Sequence, residues 1–182
     1  MNAATGFDLQ PVLNGELLGL RPLRAEDFAA LYAVASDPLI WEQHPVKDRY
    51  KEAVFTEFFR EALHSRGALI ATDCKSGRVV GSSRFHGYVK ETSEVEVGWT
   101  FLARSHWGGA CNGELKRLML THAFKFVARV IFVIGVQNVR SQRAIAKIGA
   151  VRAGSRLDAN GRDSVVYQIT SAAYCPHLTM LD

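Results

Sequence analysis

The sequence predicts an α/β (α+β) fold: one domain with a mixed central sheet of about six to seven strands, flanked by about four helices. The chain has 182 residues, enough for one complete hydrophobic core and too few for two ordinary domains. Segments with helical and strand-like apolar spacing are mixed along it. We find no linker, repeat or low-complexity segment, so residues 1–182 are treated as a single domain.

The first half of the chain predicts one strand, two helices and then three strands. The first helix covers residues 25–36, where apolar side chains recur at helical spacing until Asp37 and Pro38 end it. The second helix starts near residue 54 and ends near Gly67. The predicted strands are residues 16–23, 68–74, 79–89 and 94–102. Because the links between the last three are short, these strands are expected to be antiparallel neighbours.

The second half alternates between the two kinds of element. Residues 114–128 have a helical apolar stripe, and the branched run 130–134 that follows is typical of a buried strand. A short helix at residues 141–148 carries a basic face and ends at Gly149. Two strands, residues 151–156 and 164–169, close the domain as a hairpin around a turn at residues 158–161.

Composition limits the possible functions. The formal charge of +4 and pI near 9.1 suit an anionic partner, but no block of Lys and Arg indicates nucleic acid, so a phosphorylated small molecule is the better fit. Three cysteines without CxxC spacing favour neither a disulfide framework nor a zinc site, and no other metal is expected. The longest apolar run and the first eleven residues resemble neither a membrane span nor an export signal. We therefore expect a soluble, cytoplasmic protein.

The stretch "RSHWGGACNGELKRLML", residues 104–120, places glycines between a strand and a helix. A helix beginning at about Gly113 would leave its first backbone N–H groups free to bind phosphate. Gly108 and Gly109 would let a ligand approach the backbone, and Asn112 would cap the helix or bond an oxygen. The alternative is a plain strand-to-helix turn. The sequence has neither the GxxxxGK[ST] motif nor the GxGxxG dinucleotide fingerprint.

A second stretch, "GVQNVRSQRAIAKIGAV" at residues 135–151, narrows the class of phosphate-binding protein that the first stretch indicates. Strand, phosphate-type loop, helix, strand and N-x-x-S-x-x-x-x-x-K-x-G together resemble the GNAT superfamily of acetyl-CoA-dependent acyltransferases, and most closely its RimJ/RimL-type branch. The similarity runs from "GLRPLRAEDFAAL" through "EVGWTF" to "AIAKIGAVRAG". The resemblance implies an N-acetyltransferase that uses acetyl-CoA as co-substrate and no metal.

The resemblance also assigns the residues that contact CoA. The family loop [QR]-x-x-G-x-[GA], whose backbone N–H groups hold the pyrophosphate, matches residues 107–112; Trp107, Ala110 and Asn112 depart from the pattern. The pantetheine arm is expected beside Asn138, with Arg143 and Lys147 near the phosphates. The full set of expected CoA contacts is Trp99, Thr100, Phe101, Leu102, Trp107, Gly108, Gly109, Ala110, Cys111, Asn112, Gly113, Asn138, Ser141 and Arg143.

For catalysis, the resemblance implies direct attack of an amine on the thioester. Glu96 is the expected base, acting through water, with Glu94 in reserve; the alternative is a surface carboxylate paired with Arg84 or Lys90. A backbone N–H near residues 99–101 would bind the oxyanion. Many relatives carry a tyrosine that acts as the general acid at the position of Ile145, and isoleucine cannot donate a proton. Ser141 would therefore donate to the leaving thiolate, or simply cap a helix. Cys111 has no partner histidine in sequence, so a covalent route is not needed.

The acceptor is expected between the N-terminal helices and the C-terminal hairpin. Its candidate contacts are Trp41, His44, Phe85, His86 and Tyr167, with Glu42 and Tyr88 nearby. His44 and His86 are also alternative proton acceptors. An α-amine of pKa ~7.8 is free in about one molecule in seven at pH 7, but a lysine in only about one in 2,500. A single weak base therefore favours an α-amine at a peptide N-terminus. The alternative acceptors are small amines or antibiotics, and the alternative function is a regulatory domain that binds CoA without catalysis. The predicted partners also include a second copy of the chain, as a homodimer.

Overall fold

The structure is a computed structural model, and it describes residues 6–158 and 161–174. Its main elements are one sheet of eight strands and four α-helices. The strands are β1 (Leu13–Asn14), β2 (Leu18–Pro22), β3 (Ala68–Asp73), β4 (Val79–Val89), β5 (Glu94–Leu102), β6 (Arg129–Gly135), β7 (Val151–Leu157) and β8 (Asp163–Thr170). The helices are α1 (Phe28–Ala35), α2 (Glu52–Ser65), α3 (Ala110–Ala123) and α4 (Val139–Lys147).

The predicted fold class is confirmed. The strand order is β1-β2-β3-β4-β5-β6-β8-β7, and every neighbouring pair is antiparallel except β5 and β6. The strand beyond the predicted number is β1, a two-residue edge strand that pairs with β2. Residues 159 and 160 of the predicted hairpin turn lie outside the described residues, as does Cys175.

Helices α3 and α4 differ from the prediction in their boundaries. Helix α3 begins at Ala110, before the predicted Gly113, because Gly109 is already the extended N-cap (φ −126°) and residues 110–113 adopt helical torsions. It ends at Ala123, and residues 124–126 form a turn before β6. Helix α4 begins at Val139 because Asn138 caps it. The phosphate loop is therefore shorter than predicted, and it leads directly into α3.

The sheet carries a separate hydrophobic core on each face. Strand β3 shows the division, since Leu69 and Ala71 belong to the core that holds Leu115 and Met119 of α3. The alternate residue Ile70 belongs to the core built with α1 and α2, around Phe55. This alternation follows from the two-residue period of a strand. Helices α1 and α2 therefore cover one face and α3 the other.

The two parallel strands separate soon after they meet. Strands β5 and β6 pair only from Glu94 opposite Arg129 to Glu96 opposite Ile131. Beyond Glu96, strand β5 also bulges against β4, since Gly98 lies opposite Arg84 and Phe101 opposite Ser82. Trp99 in this bulge has a positive φ of 51°, which turns its peptide group away from the regular hydrogen-bonding pattern of the sheet. A cavity of about 1130 Å³ opens between the separated strands.

In residues 6–158 and 161–174, no helix has the length and apolar character that crossing a membrane requires. Within the same residues, no three His, Cys, Asp or Glu side chains are grouped so that they could hold a metal ion.

Candidate active site

The cavity between β5 and β6 collects most of the residues that the sequence had singled out. Its walls include the bulge of β5, the first turn of α3, the first turns of α4, and the segment around Trp41. The predicted residues that line it are Trp41, His44, His86, Glu96, Trp99, Thr100, Phe101, Leu102, Trp107, Gly108, Gly109, Ala110, Asn112, Gly113, Asn138, Ser141 and Arg143. Segments far apart in sequence therefore meet at one site.

Two predicted acceptor contacts do not reach this cavity. Phe85 is only 1% exposed and packs edge-on against Phe7 at 5.1 Å, in the core on the α3 face. Strand alternation turns its neighbour His86 the other way, toward the cavity. Tyr167 packs against the same core, and its hydroxyl donates to Gln142 Oε1 at 3.5 Å. Phe85 and Tyr167 therefore do not line the cavity in which the acceptor is expected to bind.

Cys111 also lies away from the cavity, although its backbone is in the first turn of α3. Its side chain packs against the core on the α3 face. Burial, followed by the nearby charges of Glu114 and Asp73, raises the pKa of the thiol. A thiol with a raised pKa is a poor nucleophile at neutral pH. The expected CoA contact of Cys111 is therefore limited to its backbone N–H.

The N-terminus of α3 is open toward the cavity. The N-cap residue Gly109 has no side chain that could bond the helix, and the backbone N–H groups of residues 109–112 have no partner inside the helix. Gly108 has φ +67°, a torsion that favours glycine. Ala110 has ordinary helical torsions, so replacing the family glycine there causes no strain. The expectation that Asn112 caps the helix is wrong, because Asn112 is the third helical residue.

The N-terminus of α4 lies opposite, across the cavity. Asn138 caps it by accepting the backbone N–H of Ser141 at 3.2 Å, so Ser141 is not the cap and its hydroxyl lies in the first turn. Arg140 stacks on Trp107 at 4.0 Å and donates to the carbonyl of Ile40 at 2.8 Å. Arg140 thus joins α4, the phosphate loop and the N-terminal segment.

Glu96 lies where β5 and β6 begin to separate. Its Oε2 accepts a hydrogen bond from Nη2 of Arg156 at 3.0 Å, and its side chain is 12% exposed. Burial raises the pKa of Glu96 to about 6, against the lowering effect of Arg156. The carboxylate is thus paired neither with Arg84 nor with Lys90, and it is largely ionised at pH 7. The reserve candidate Glu94 forms an ion pair with Arg129 at 2.6 Å.

The two cavity histidines differ in accessibility. Burial, aided by the charge of Arg49, lowers the pKa of His44 to about 3, so its imidazole is neutral at pH 7. Nδ1 of His44 accepts from the backbone N–H of Val46 at 2.9 Å, and Nε2 lies 3.2 Å from Nη1 of Arg49. His86 is exposed and lies opposite Glu96 in the β4–β5 register; burial also lowers its pKa. His44 is therefore a poor proton acceptor.

The cationic residues of the cavity that were not identified from the sequence include Arg49, Lys116 and Arg156. Arg156 and Arg49 come from the last hairpin and from an irregular segment, where no periodicity indicates which way a side chain points. Lys116 had a signal: it lies three and four residues before the buried Met119 and Leu120, so the helical period places it on the buried face. It is 4% exposed, and its Nζ donates to Thr100 Oγ1 at 2.7 Å.

These features define a domain that can hold a phosphorylated ligand between two separated strands, beside a carboxylate of raised pKa. A family model supports the same conclusion: the acetyltransferase (GNAT) domain matches residues 18–151. The chain therefore belongs to the GNAT acetyltransferase family, and the prediction of an N-acetyltransferase is confirmed.

Solved structures with the same fold span nearly the whole chain. A GCN5-related N-acetyltransferase from Brucella melitensis is 18% identical, with a TM-score of 0.80, over 93% of this chain and 82% of that one. RimJ from Mycobacterium smegmatis, in complex with CoA-disulfide, is 20% identical, with a TM-score of 0.64, over 88% and 87%. Spermidine N-acetyltransferase from Vibrio cholerae, in complex with CoA and spermine, is 15% identical, with a TM-score of 0.67, over 88% and 99%. A comparison with curated proteins found no match.

Proposed function

We propose that this protein transfers the acetyl group of acetyl-CoA directly to an α-amine, at a peptide N-terminus or on a small molecule. The observation that carries the proposal is the position of Glu96, a carboxylate with a pKa of about 6 at the point where β5 and β6 separate. A base with a pKa slightly below neutral is ionised at pH 7 and still accepts a proton. An α-amine of pKa ~7.8 needs no stronger base.

The residues present fit acetyl-CoA as the co-substrate, which supplies the activated acyl group. The unpartnered N–H groups of residues 109–112 and the positive end of the α3 dipole suit its pyrophosphate. Arg143 and Lys147 line the same cavity and add positive charge. The side-chain amide of Asn138 borders the space between β5 and β6, where it would bond the pantetheine arm. The cavity volume of about 1130 Å³ leaves room for an acceptor beside the co-substrate.

Two groups of the chain itself would serve the reacting atoms. Beyond Glu96, strand β5 has lost β6 as a neighbour, so alternate N–H groups of residues 97–101 point toward the cavity without a strand partner. Such an N–H suits the oxyanion that forms when the amine attacks. Glu96 would take the proton of the amine through water. Its ion pair with Arg156 holds the carboxylate in place and keeps it ionised.

The proposed donor to the thiolate is the hydroxyl of Ser141, which lines the cavity. Ile145 is 4% exposed in the core and has no proton to donate. A free thiol has a pKa of ~8.5, so its anion is also able to leave unassisted near pH 7. Ser141 is therefore proposed to assist departure of the thiolate rather than to be essential for it.

The experiment that tests this function has two stages. Calorimetric titration with acetyl-CoA asks whether the co-substrate binds, and a thiol-release assay over peptides, amino acids, polyamines and aminoglycosides asks which amine accepts the acetyl group. Micromolar binding with turnover of an α-amine supports the proposal. Binding without turnover of any amine, unchanged in a Glu96→Gln variant, would instead support a regulatory CoA-binding domain.

The likeness to RimJ and to spermidine N-acetyltransferase leaves two acceptor classes in view, because each is 20% identical or less. We favour the RimJ-type assignment, a protein or peptide N-terminus, over a polyamine, because the acceptor side of the cavity is rich in guanidinium groups. Cytoplasmic location and a homodimer remain predictions.

A further inference from the structure

Two guanidinium groups lie close together on the acceptor side of the sheet. Arg49, which lines the cavity, stacks on Phe58 at 4.4 Å and on Trp41 at 5.1 Å. Arg84 stacks on the cavity residue Trp99 at 4.6 Å and approaches the same Phe58 ring at 5.7 Å. Both guanidiniums thus lie near the Phe58 ring, and Arg84 forms the layer directly behind the cavity wall.

Neither guanidinium has an acidic partner. Within the part of the chain that the structure describes, no carboxylate oxygen lies within 4.0 Å of Arg49 or Arg84. Arg84 is 4% exposed, and its Nε and Nη2, like Nε of Arg49, are buried without a hydrogen-bond partner. Burial lowers the pKa of both groups to about 10, and for Arg49 the charge of Arg84 adds to the effect. The negative charge of Glu61 offsets part of this lowering for both groups.

A buried charge without a partner is unfavourable, and proteins normally pair it or use it. Both guanidiniums stay protonated at pH 7, since a pKa of about 10 is far above neutrality. An anion that entered the cavity would find Arg49 already desolvated and fixed by two aromatic rings. A charge-assisted hydrogen bond formed there would be stronger than one at the protein surface.

The guanidinium pair lies next to the proposed base. Arg84 is opposite Gly98 in the register of β4 and β5, and His86 is opposite Glu96, so these residues share one face of the sheet. Glu96 and Gly98 are two residues apart, about 7 Å along the strand. An acceptor whose amine lies at Glu96 would therefore extend along this face toward Arg84 and the neighbouring Arg49.

We propose that the acceptor carries an anionic group, a carboxylate in the simplest case, close to its amine, and that Arg49 binds this group with Arg84 behind it. This inference rests on the proposed function and narrows its substrate class. The carboxylate comes either from a free α-amino acid or from an acidic first side chain of a peptide. A polyamine would place a second positive charge against the guanidinium pair and is disfavoured.

Matched acceptors that differ in one charge test the proposal. Phenylalanine and phenylalaninamide differ in the α-carboxylate, which also raises the pKa of the amine, so their kcat/KM values are compared per free amine. Aspartyl-phenylalaninamide and asparaginyl-phenylalaninamide differ only in the side chain. Spermidine is the cationic comparison. We expect the acid of at least one pair to exceed its amide in kcat/KM by about tenfold or more, the range of a hydrogen bond to a charged group. The pair that shows the preference identifies the source of the carboxylate.

Variants connect the preference to the residue. Arg49→Met should abolish the preference for the acid while acetyl-CoA affinity stays unchanged, and Arg49→Lys should restore part of it. Arg60→Met is the matched control, because Arg60 is an exposed residue of α2 and should keep the wild-type preference. An enzyme that acetylates both members of each pair equally, or prefers spermidine, overturns the proposal, as does an Arg49→Met variant with an intact preference.

A binding measurement separates this inference from the proposed function. The acetylated products N-acetylphenylalanine and N-acetylaspartyl-phenylalaninamide, with their amide counterparts, are titrated into the protein without acetyl-CoA. Tighter binding of an acid to the wild type, weakened about tenfold in Arg49→Met, supports the anion site even if no turnover is found. Failure to bind acetyl-CoA would refute the proposed function alone. Equal binding of acids and amides would refute the anion site alone.

Discussion

Lys116 makes a quantitative prediction about stability. Its ammonium group is buried between α3 and the sheet, where Nζ donates to Thr100 Oγ1 at 2.7 Å and lies 5.5 Å from the centre of the Phe132 ring. In residues 6–158 and 161–174 no carboxylate forms an ion pair with it. Burial therefore lowers the pKa of Lys116 from 10.5 to about 7. The folded protein should hold this proton much more weakly than the unfolded chain.

The sign and size of the effect follow from proton linkage. At pH 7 the amine is half-protonated in the folded state and fully protonated in the unfolded state; at pH 9 it is neutral in the folded state and still mostly protonated in the unfolded state. The unfolded state binds more protons throughout, so the free energy of unfolding rises with pH. From the pKa values of 10.5 and about 7, the gain from pH 7 to pH 9 is about 2 kcal/mol.

Urea unfolding of the wild type and of Lys116→Met at pH 7 and pH 9 measures this gain. All other titrating groups contribute to both proteins, so the difference between the two proteins isolates Lys116. We expect the wild type to gain about 2 kcal/mol relative to the variant over this interval. The exposed Lys125 provides a control, since Lys125→Met should run parallel to the wild type. If Lys116→Met also runs parallel, the amine is not desolvated in the folded protein and the reasoning fails.

Three further predictions concern the site. Glu96→Gln should lower kcat by a factor of about 100 or more, and the ratio of the wild-type rate to the variant rate should decline below pH 6. Arg156→Met should move that decline to higher pH, because Arg156 lowers the pKa of Glu96. A pH-independent ratio would remove Glu96 from the mechanism. Gly109→Asp should weaken acetyl-CoA binding by about tenfold or more in calorimetry, through repulsion of the phosphates, yet stabilise α3 by roughly a few tenths of a kcal/mol as a new N-cap. A Cβ there meets no protein atom within 4 Å, so Gly109→Ala is the uncharged control and should weaken binding less than the Asp variant does. Unchanged affinity in the Asp variant would contradict the phosphate site. Asn138→Ala should raise KM for acetyl-CoA and Ser141→Ala should lower kcat several-fold; steady-state kinetics that match the wild type in both would refute their roles.

Much of this site could be predicted because its parts are local. The phosphate loop lies in one short stretch, and the glycines at 108 and 109 mark its position in the sequence. Glu96 precedes this loop, on the strand that leads into it, and Asn138 and Ser141 follow the buried strand β6. Each signal needs only the period of an element and the residues at its ends. The error in the start of α3 has the same origin, because Gly109 and Ala110 are equally compatible with a loop and with a first helical turn.

Short-range spacing of apolar, glycine and polar residues was enough to predict the order of the main elements, the position of the candidate phosphate loop and the family. The tertiary packing fixes which groups face one another. It places Phe85 in the core and His86 toward the cavity, and it brings Arg156 to Glu96 across 60 residues of sequence. It also separates β5 from β6, and among the described residues it gives Arg49 no carboxylate partner within 4.0 Å. These relations arise from packing and burial between distant segments, and no local period records them.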